Sequence, residues 1–152
     1  MKEVAQLLNE MRASGVIIDY ALFGAAAQMR YTEPVATLDA DVLIALPSPE
    51  GLEGEAVRVD AWPVQFIPVF SPLTRHALVQ AETADFEGVP FRVVRADYLA
   101  VIALSVGRSK DFTRILGLLE SGSVSGEEIA RLAERHDLLE AWKRFEARFL
   151  NE

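Results

Sequence analysis

The chain has 152 residues, about half of them apolar, and a formal net charge of −8. That length suits one domain with room for a helical appendage, and the apolar share can fill a buried core without covalent staples. The sequence has no cysteine, which excludes disulfides and thiolate metal sites; the acidic balance disfavours extensive nucleic-acid binding, which needs clustered Lys and Arg.

The first residues, MKEVAQLLNEM, carry acids within an amphipathic pattern and do not read as a secretory signal. Val4, Leu7, Leu8 and Met11 recur at the spacing of one helix face, and Ser14-Gly15 ends that helix. Val16 to Phe23 is apolar except for Asp19 and predicts a buried strand. Gly24 makes a turn, and Ala25 to Arg30 suits a short helix, because alanine is the best helix former. Pro34 cannot continue it. Asp39 to Leu46 predicts a second strand, followed by a polar loop over Pro47 to Gly54.

Trp62 to Phe70 predicts a third strand, with Val64, Phe66 and Pro68 on one face and Gln65, Ile67 and Val69 on the other. Ser71 to Ala81 reads as a helix capped by Ser71, with Pro72 in its first turn. His76 within it reads as a surface residue. Glu82 to Val94 has the pattern of a hairpin turning at Glu87-Gly88, which brings the strands to about five.

Ala96 to Val106 is almost wholly apolar and predicts a buried helix. Tyr98 to Leu104, the longest apolar run, falls far short of the ~18 residues a membrane span needs. Gly107-Arg108-Ser109-Lys110-Asp111 leads into an amphipathic helix marked by Phe112, Ile115, Leu116 and Leu119. Ser125 with Glu128 forms a capping box for the next helix, which His136-Asp137 ends. Leu138, Trp142, Phe145 and Phe149 stripe a last helix; such a stripe serves as core, as a dimer face or as a lid over the sheet. The chain has no phosphate-binding GxxxxGK[ST] loop, no HExxH and no Gly-x-Ser-x-Gly elbow.

The chemistry concentrates at Asp39 and Asp41. Residues two apart on a strand share a face, so their carboxylates repel and either raise one pKa or hold a divalent cation. Oxygen-only ligands favour magnesium, which often shares its remaining positions with substrate phosphates. A plain solvated surface pair is the other reading.

Two stretches resemble the nucleotidyltransferase superfamily. Phe23-Gly24-Ala25, thirteen residues, then Asp39-Ala40-Asp41-Val42 matches that family's apolar–Gly–small residue, spacer and Asp-x-Asp pattern. Gly107, Arg108, Lys110 and Asp111 match the Gly-Arg-x-Lys-Asp run of its toxin and abortive-infection relatives. The resemblance implies an α+β fold: a mixed β-sheet flanked by helices, with a C-terminal helical extension. It suggests a core over residues 1–121 and an extension over 122–152, packed as one compact unit. It also implies magnesium-dependent transfer of a nucleotide from a nucleoside triphosphate to an acceptor such as a hydroxyl, in a toxin-like role; the absence of cysteine is in keeping with a cytoplasmic location.

Under that resemblance Asp39 and Asp41 bind magnesium and are catalytic. Gly24 lets the backbone approach the phosphates, and Ala25 offers its N–H at a helix start. Thr37, Gln65, Arg108 and Lys110 complete the nucleotide site. Arg108 and Lys110 then neutralise phosphate; equally, they could form a salt-bridged turn with Asp111 as the cap of the second helix. Four positions depart from the family pattern: Ala25 for Gly or Ser, Val35 for Arg, Gln65 for a third acid and Ala103 for a lysine. Gln65 can orient a substrate, ligate weakly or be an ordinary hydrogen-bonded strand residue; Asp60 is the nearest replacement acid. The departures keep a second function in play, a catalytically degenerate relative that binds a nucleotide or a protein partner, including a second copy of itself.

Overall fold

A computed structural model describes residues 2–28, 30–31, 40–47, 56–59 and 62–150. By their contacts the residues cluster into two units. The first is Met1–Arg30 with Pro34–Arg95, and the second is Tyr31–Glu33 with Ala96–Glu152. This division falls after Arg95, whereas the sequence suggested a boundary after Ser121.

Among the described residues, the first unit holds one six-stranded mixed sheet and three helices. Helix α1 (Lys2–Ser14) buries Val4, Ala5 and Leu8. Its chain turns at Gly15 into strand β1 (Asp19–Phe23), which passes directly into helix α2 (Gly24–Gln28). Strands β2 (Ala40–Ala45), β3 (Ala56–Val59) and β4 (Trp62–Pro68) follow. Then come helix α3 (Pro72–Val79) and the hairpin of β5 (Glu82–Phe86) and β6 (Val89–Val93). The strand order is β3-β4-β2-β1-β6-β5. β2 runs antiparallel to β1 and parallel to β4, while β1 is parallel to β6.

The two central strands are apolar on both faces. Tyr20, Ala21, Leu22, Val42, Leu43 and Ile44 are all buried, which is what strands covered on both sides require. The strand that the sequence placed from Val16 begins only at Asp19. Val16 and Ile18 are 51% and 60% exposed, and the N–H of Ile18 alone continues the ladder, to the Ala45 carbonyl at 2.7 Å.

α1 is fastened to the sheet by a polar thread through the core. Tyr20 is fully buried; its hydroxyl donates to Asn9 Oδ1 (2.7 Å) and accepts from the Arg92 N–H (3.3 Å). Asn9 Nδ2 donates in turn to the Pro90 carbonyl (2.7 Å). Burial pushes the Tyr20 phenol up, partly offset by the Arg92 N–H and by the charges of Arg12 and Arg92. α3 starts as expected: the Ser71 hydroxyl accepts from the Thr74 N–H at 3.1 Å, and Thr74 Oγ1 accepts from the Ser71 N–H.

The second unit is helical. It comprises α4 (Ala96–Val106), α5 (Ser109–Glu120), α6 (Gly126–Arg135) and α7 (Leu139–Phe145), the last passing into a π-helical turn over Glu146–Leu150. α4 is buried along most of its length, as its unbroken apolar run requires. It ends at Gly107, whose φ of +72° is left-handed and whose N–H returns to the Ala103 carbonyl at 2.9 Å. The Ser125–Glu128 capping box is formed. The aromatic stripe is core at Trp142 and Phe145, whose rings stack 5.3 Å apart. Phe149 extends it toward Phe112, 5.4 Å away, under the guanidinium of Arg148. Among the described residues, no helix is long and apolar enough to cross a membrane.

Candidate functional site

The β1–α2 corner is the centre of the first unit's polar chemistry. Gly24 follows β1 immediately and holds a φ of +66°, which L side chains rarely adopt. A Cβ placed on it would lie 2.7 Å from Asp41 Oδ2 and 3.4 Å from Asp41 Cβ. Glycine is therefore required for two reasons internal to the fold: the backbone conformation and the space that the Asp41 carboxylate occupies. The sequence suggested a different reason, close approach to a phosphate. α2 has only five residues, so what it offers an anion is a few local N–H groups, Ala25's among them, rather than an accumulated dipole.

Asp41 is the second residue of β2, and its register is fixed on both sides. It pairs with Phe23 on β1 and with Gln65 on β4. Paired residues on neighbouring strands project from the same face, so Phe23, Asp41 and Gln65 form a row across the sheet. The next row on that face contains Leu43, fully buried, which gives the polar row an apolar floor. Asp41 is half-buried and Gln65 is exposed. The Gln65 side chain makes no hydrogen bond to another described residue. The sequence had placed Gln65 where a third acid would stand, and the register puts it directly beside Asp41. Asp39, Thr37, Val35 and Asp60 lie outside the described residues.

Of this corner's described residues, Asp41 offers one hard carboxylate, the kind of donor that suits magnesium. Among the described residues, no group of three or more His, Asp or Glu side chains converges on a metal position.

The second unit holds the other matched stretch. The turn between α4 and α5 is organised by Asp111, which is 1% exposed. Its carboxylate accepts from the Arg108 N–H (3.1 Å), Arg108 Nε (2.7 Å), Arg108 Nη2 (3.2 Å) and Arg114 Nη1 (3.4 Å). This is the salt-bridged turn, one of the two arrangements that the sequence allowed. Asp111 is not the N-cap, however. Arg108 holds that position and Asp111 is the third helical residue, reaching back to the cap's N–H, because a carboxylate one turn into a helix can satisfy a donor that the first turn leaves open. Burial alone would raise the Asp111 pKa, but the two hydrogen bonds from Arg108 and the charges of Arg108 and Arg114 outweigh it and hold the carboxyl below its usual range. The same hydrogen bond raises the Arg108 pKa. Arg114, three residues after Asp111, serves as a second cation for it. Lys110 is exposed. Ala103, in place of the expected lysine, is buried on α4.

His76 and Arg75 line a shallow, open pocket with Val69, Phe70, Ser71 and Pro72. β2 and β4 run in parallel from the Asp41 row toward Phe70, so this pocket lies at the other end of the sheet. His136 is the C-cap of α6, consistent with a helix-ending residue. Sequence reasoning missed the Asn9–Tyr20–Arg92 thread; a tyrosine in a strand otherwise built from apolar residues was its only signal.

No protein-family model matches the sequence, and no curated protein does. Among solved structures, the chain is similar to an antigenic nucleotidyltransferase-like protein from Paracoccidioides brasiliensis, with 17% sequence identity and a TM-score of 0.54 over 99% of this chain and 96% of that one. A looser likeness, at 12% identity and a TM-score of 0.47 over 95% of this chain and 99% of the other, is to the antibiotic-resistance factor ANT(2'')-Ia; it carries no argument. At these identities the likeness speaks to architecture, and the architecture of this chain is a nucleotidyltransferase-like fold.

Proposed function

We propose that the protein transfers a nucleotide from a nucleoside triphosphate to an acceptor yet to be identified, with magnesium bound by Asp39 and Asp41. The observation that carries this reading is the Asp41 carboxylate set against the missing side chain of Gly24, in register with an exposed polar residue on β4, within a nucleotidyltransferase-like fold. When bound, magnesium supplies positive charge that offsets the triphosphate. Asp41 is kept in place by its strand register and by the lack of space around Gly24, so little reorganisation is needed on ligand binding. Gly24, Ala25 and Thr37 are assigned to the nucleotide side of the site, and Gln65, beside Asp41, to orienting a substrate. Lys110 and Arg108 are assigned to phosphate neutralisation, for which Arg108 would have to share its guanidinium with Asp111. A toxin-like role belongs to the same reading and rests on the Gly107–Asp111 run; the cytoplasmic location proposed with it rests on the absence of cysteine.

A second reading has one observation in its favour. Gln65 occupies the place beside Asp41 where a carboxylate would complete an acidic set. A protein with that substitution could keep nucleotide binding, or binding of a protein partner, while losing turnover.

The test is a thermal shift with each nucleoside triphosphate, with and without magnesium, on wild type and the Asp39→Asn/Asp41→Asn double variant. Ligand at a hundred times its Kd stabilises by ~2.7 kcal/mol. A magnesium-dependent shift lost in the double variant supports the site. Label transfer from the nucleotide then separates the first reading from the second. No shift with any nucleotide sinks both nucleotide readings.

A further inference from the structure

We propose that Gln65 selects the acceptor, and that the acceptor is a small molecule attacking through an oxygen that is already anionic at neutral pH, a phosphate or a carboxylate. The inference rests on the preceding reading of Asp41 as part of a nucleotide-transfer site. Its starting point is the register: Gln65 is the residue that β4 places directly beside Asp41, on the same face and exposed to solvent. Its amide makes no hydrogen bond to another described residue, and its exposure leaves it open to a ligand.

A hydroxyl acceptor must lose a proton as it attacks phosphorus, which calls for a base near neutral pH. An amide cannot take that proton. What an amide offers is an N–H donor and no charge, and both suit an oxyanion. A glutamate in the same place would put a second negative charge beside Asp41, facing an incoming anion at a distance where like charges repel strongly. With an anionic acceptor the step balances without a base. The acceptor oxygen forms a bond to the α-phosphorus, the bond from that phosphorus to the bridging oxygen breaks, and pyrophosphate leaves with the electron pair. No proton is transferred. Inorganic phosphate would yield the nucleoside diphosphate, and a carboxylate the mixed acyl–nucleotide anhydride. The acceptor is small because the chain carries a net charge of −8, which repels a polyanion far more than a single phosphate or carboxylate.

The experiment compares wild type with Gln65→Glu, an exposed change of nearly equal size that should not disturb folding. Labelled nucleoside triphosphate and magnesium are offered with inorganic phosphate, phenyl phosphate or acetate as anionic acceptors, and with glycerol or a Ser/Tyr peptide as hydroxyl acceptors. Magnesium–nucleotide thermal shifts are recorded in parallel. The expected result is label on an anionic acceptor in wild type, reduced by about tenfold or more in Gln65→Glu while the nucleotide shift persists. Which anion is labelled tells phosphate from carboxylate. Three results overturn the inference while leaving the nucleotide site standing: label on hydroxyl acceptors in preference to anions, lost in Asp60→Asn; equal anion labelling in Gln65→Glu and wild type; or a nucleotide shift with no label on any anion. Absence of the nucleotide shift overturns the inference together with the reading beneath it.

Discussion

Gly24–Asp41 in the sheet unit and Gly107–Asp111 in the helical unit use the same two residue types for opposite ends. Both glycines hold a left-handed backbone at the end of a regular element. Beside Gly107, the aspartate is consumed by the fold: buried, it accepts from two arginines and a backbone N–H, and it sets the start of α5. Beside Gly24, the aspartate is half-buried, lies next to an exposed amide, and fills the space that the glycine's missing side chain leaves. A motif match therefore locates a constrained carboxylate but does not tell whether the constraint serves architecture or a ligand. Its burial and the exposure of its neighbours do.

The sharpest way to break the comparison is Gly24→Ala. The new methyl would meet Asp41 Oδ2 at 2.7 Å on a backbone with φ +66°. Loss of about 1–3 kcal/mol is expected in chemical denaturation, with loss of any magnesium–nucleotide thermal shift. Wild-type stability in this variant would mean that Asp41 yields freely.

Asp111→Asn should come next, at about 1–3 kcal/mol, since it removes the charge from hydrogen bonds made to charged groups. Its acid limb is a second readout. The folded pKa of Asp111 is lowered, so its contribution is complete above the unfolded value of about 3.9 and is lost as pH falls through the folded value. Wild type should lose stability along that limb more steeply than the variant; parallel limbs would show that Asp111 titrates alike in both states.

Arg108→Gln should cost less, on the order of 1 kcal/mol, because the Arg108 side chain is 53% exposed and solvent weakens its pair with Asp111. If the turn is purely architectural, this variant lowers Tm equally with and without nucleotide, whereas a phosphate role would shrink the nucleotide shift itself. Ser71→Ala should cost a similar ~1 kcal/mol by removing the α3 cap, and it has the smallest functional effect, leaving nucleotide responses untouched.

The comparison also shows which features were legible in the sequence. Long periodic stretches were: α1, α4 and the capped α6 lie where their apolar spacing and Ser125–Glu128 put them. β3 was not, because Ala56–Val59 is four residues long, too short for an alternating pattern to declare itself. Val16 and Ile18 misled because an apolar residue is not obliged to be buried. At the site, the spacing from Gly24 to Asp41 was readable, and so was the place of Gln65. Their physical relation was not, since the contact between Gly24 and Asp41 depends on β1 and β2 lying antiparallel. The role of Asp111 as third residue rather than cap turned on one hydrogen-bond register, which composition does not encode.

The thread from Asn9 to Pro90 joins residues 81 positions apart. On a ribosome adding about 5–20 residues per second, α1 emerges many seconds before the strand that anchors it. β1, β2 and β4 can pair while β6 is still being made, but the Tyr20 hydroxyl must wait for the Arg92 N–H. The apolar face of the first helix is thus left without its partner during synthesis. The polar residues of that helix, Lys2, Glu3, Glu10 and Arg12 among them, keep the nascent segment hydrated until β6 is made.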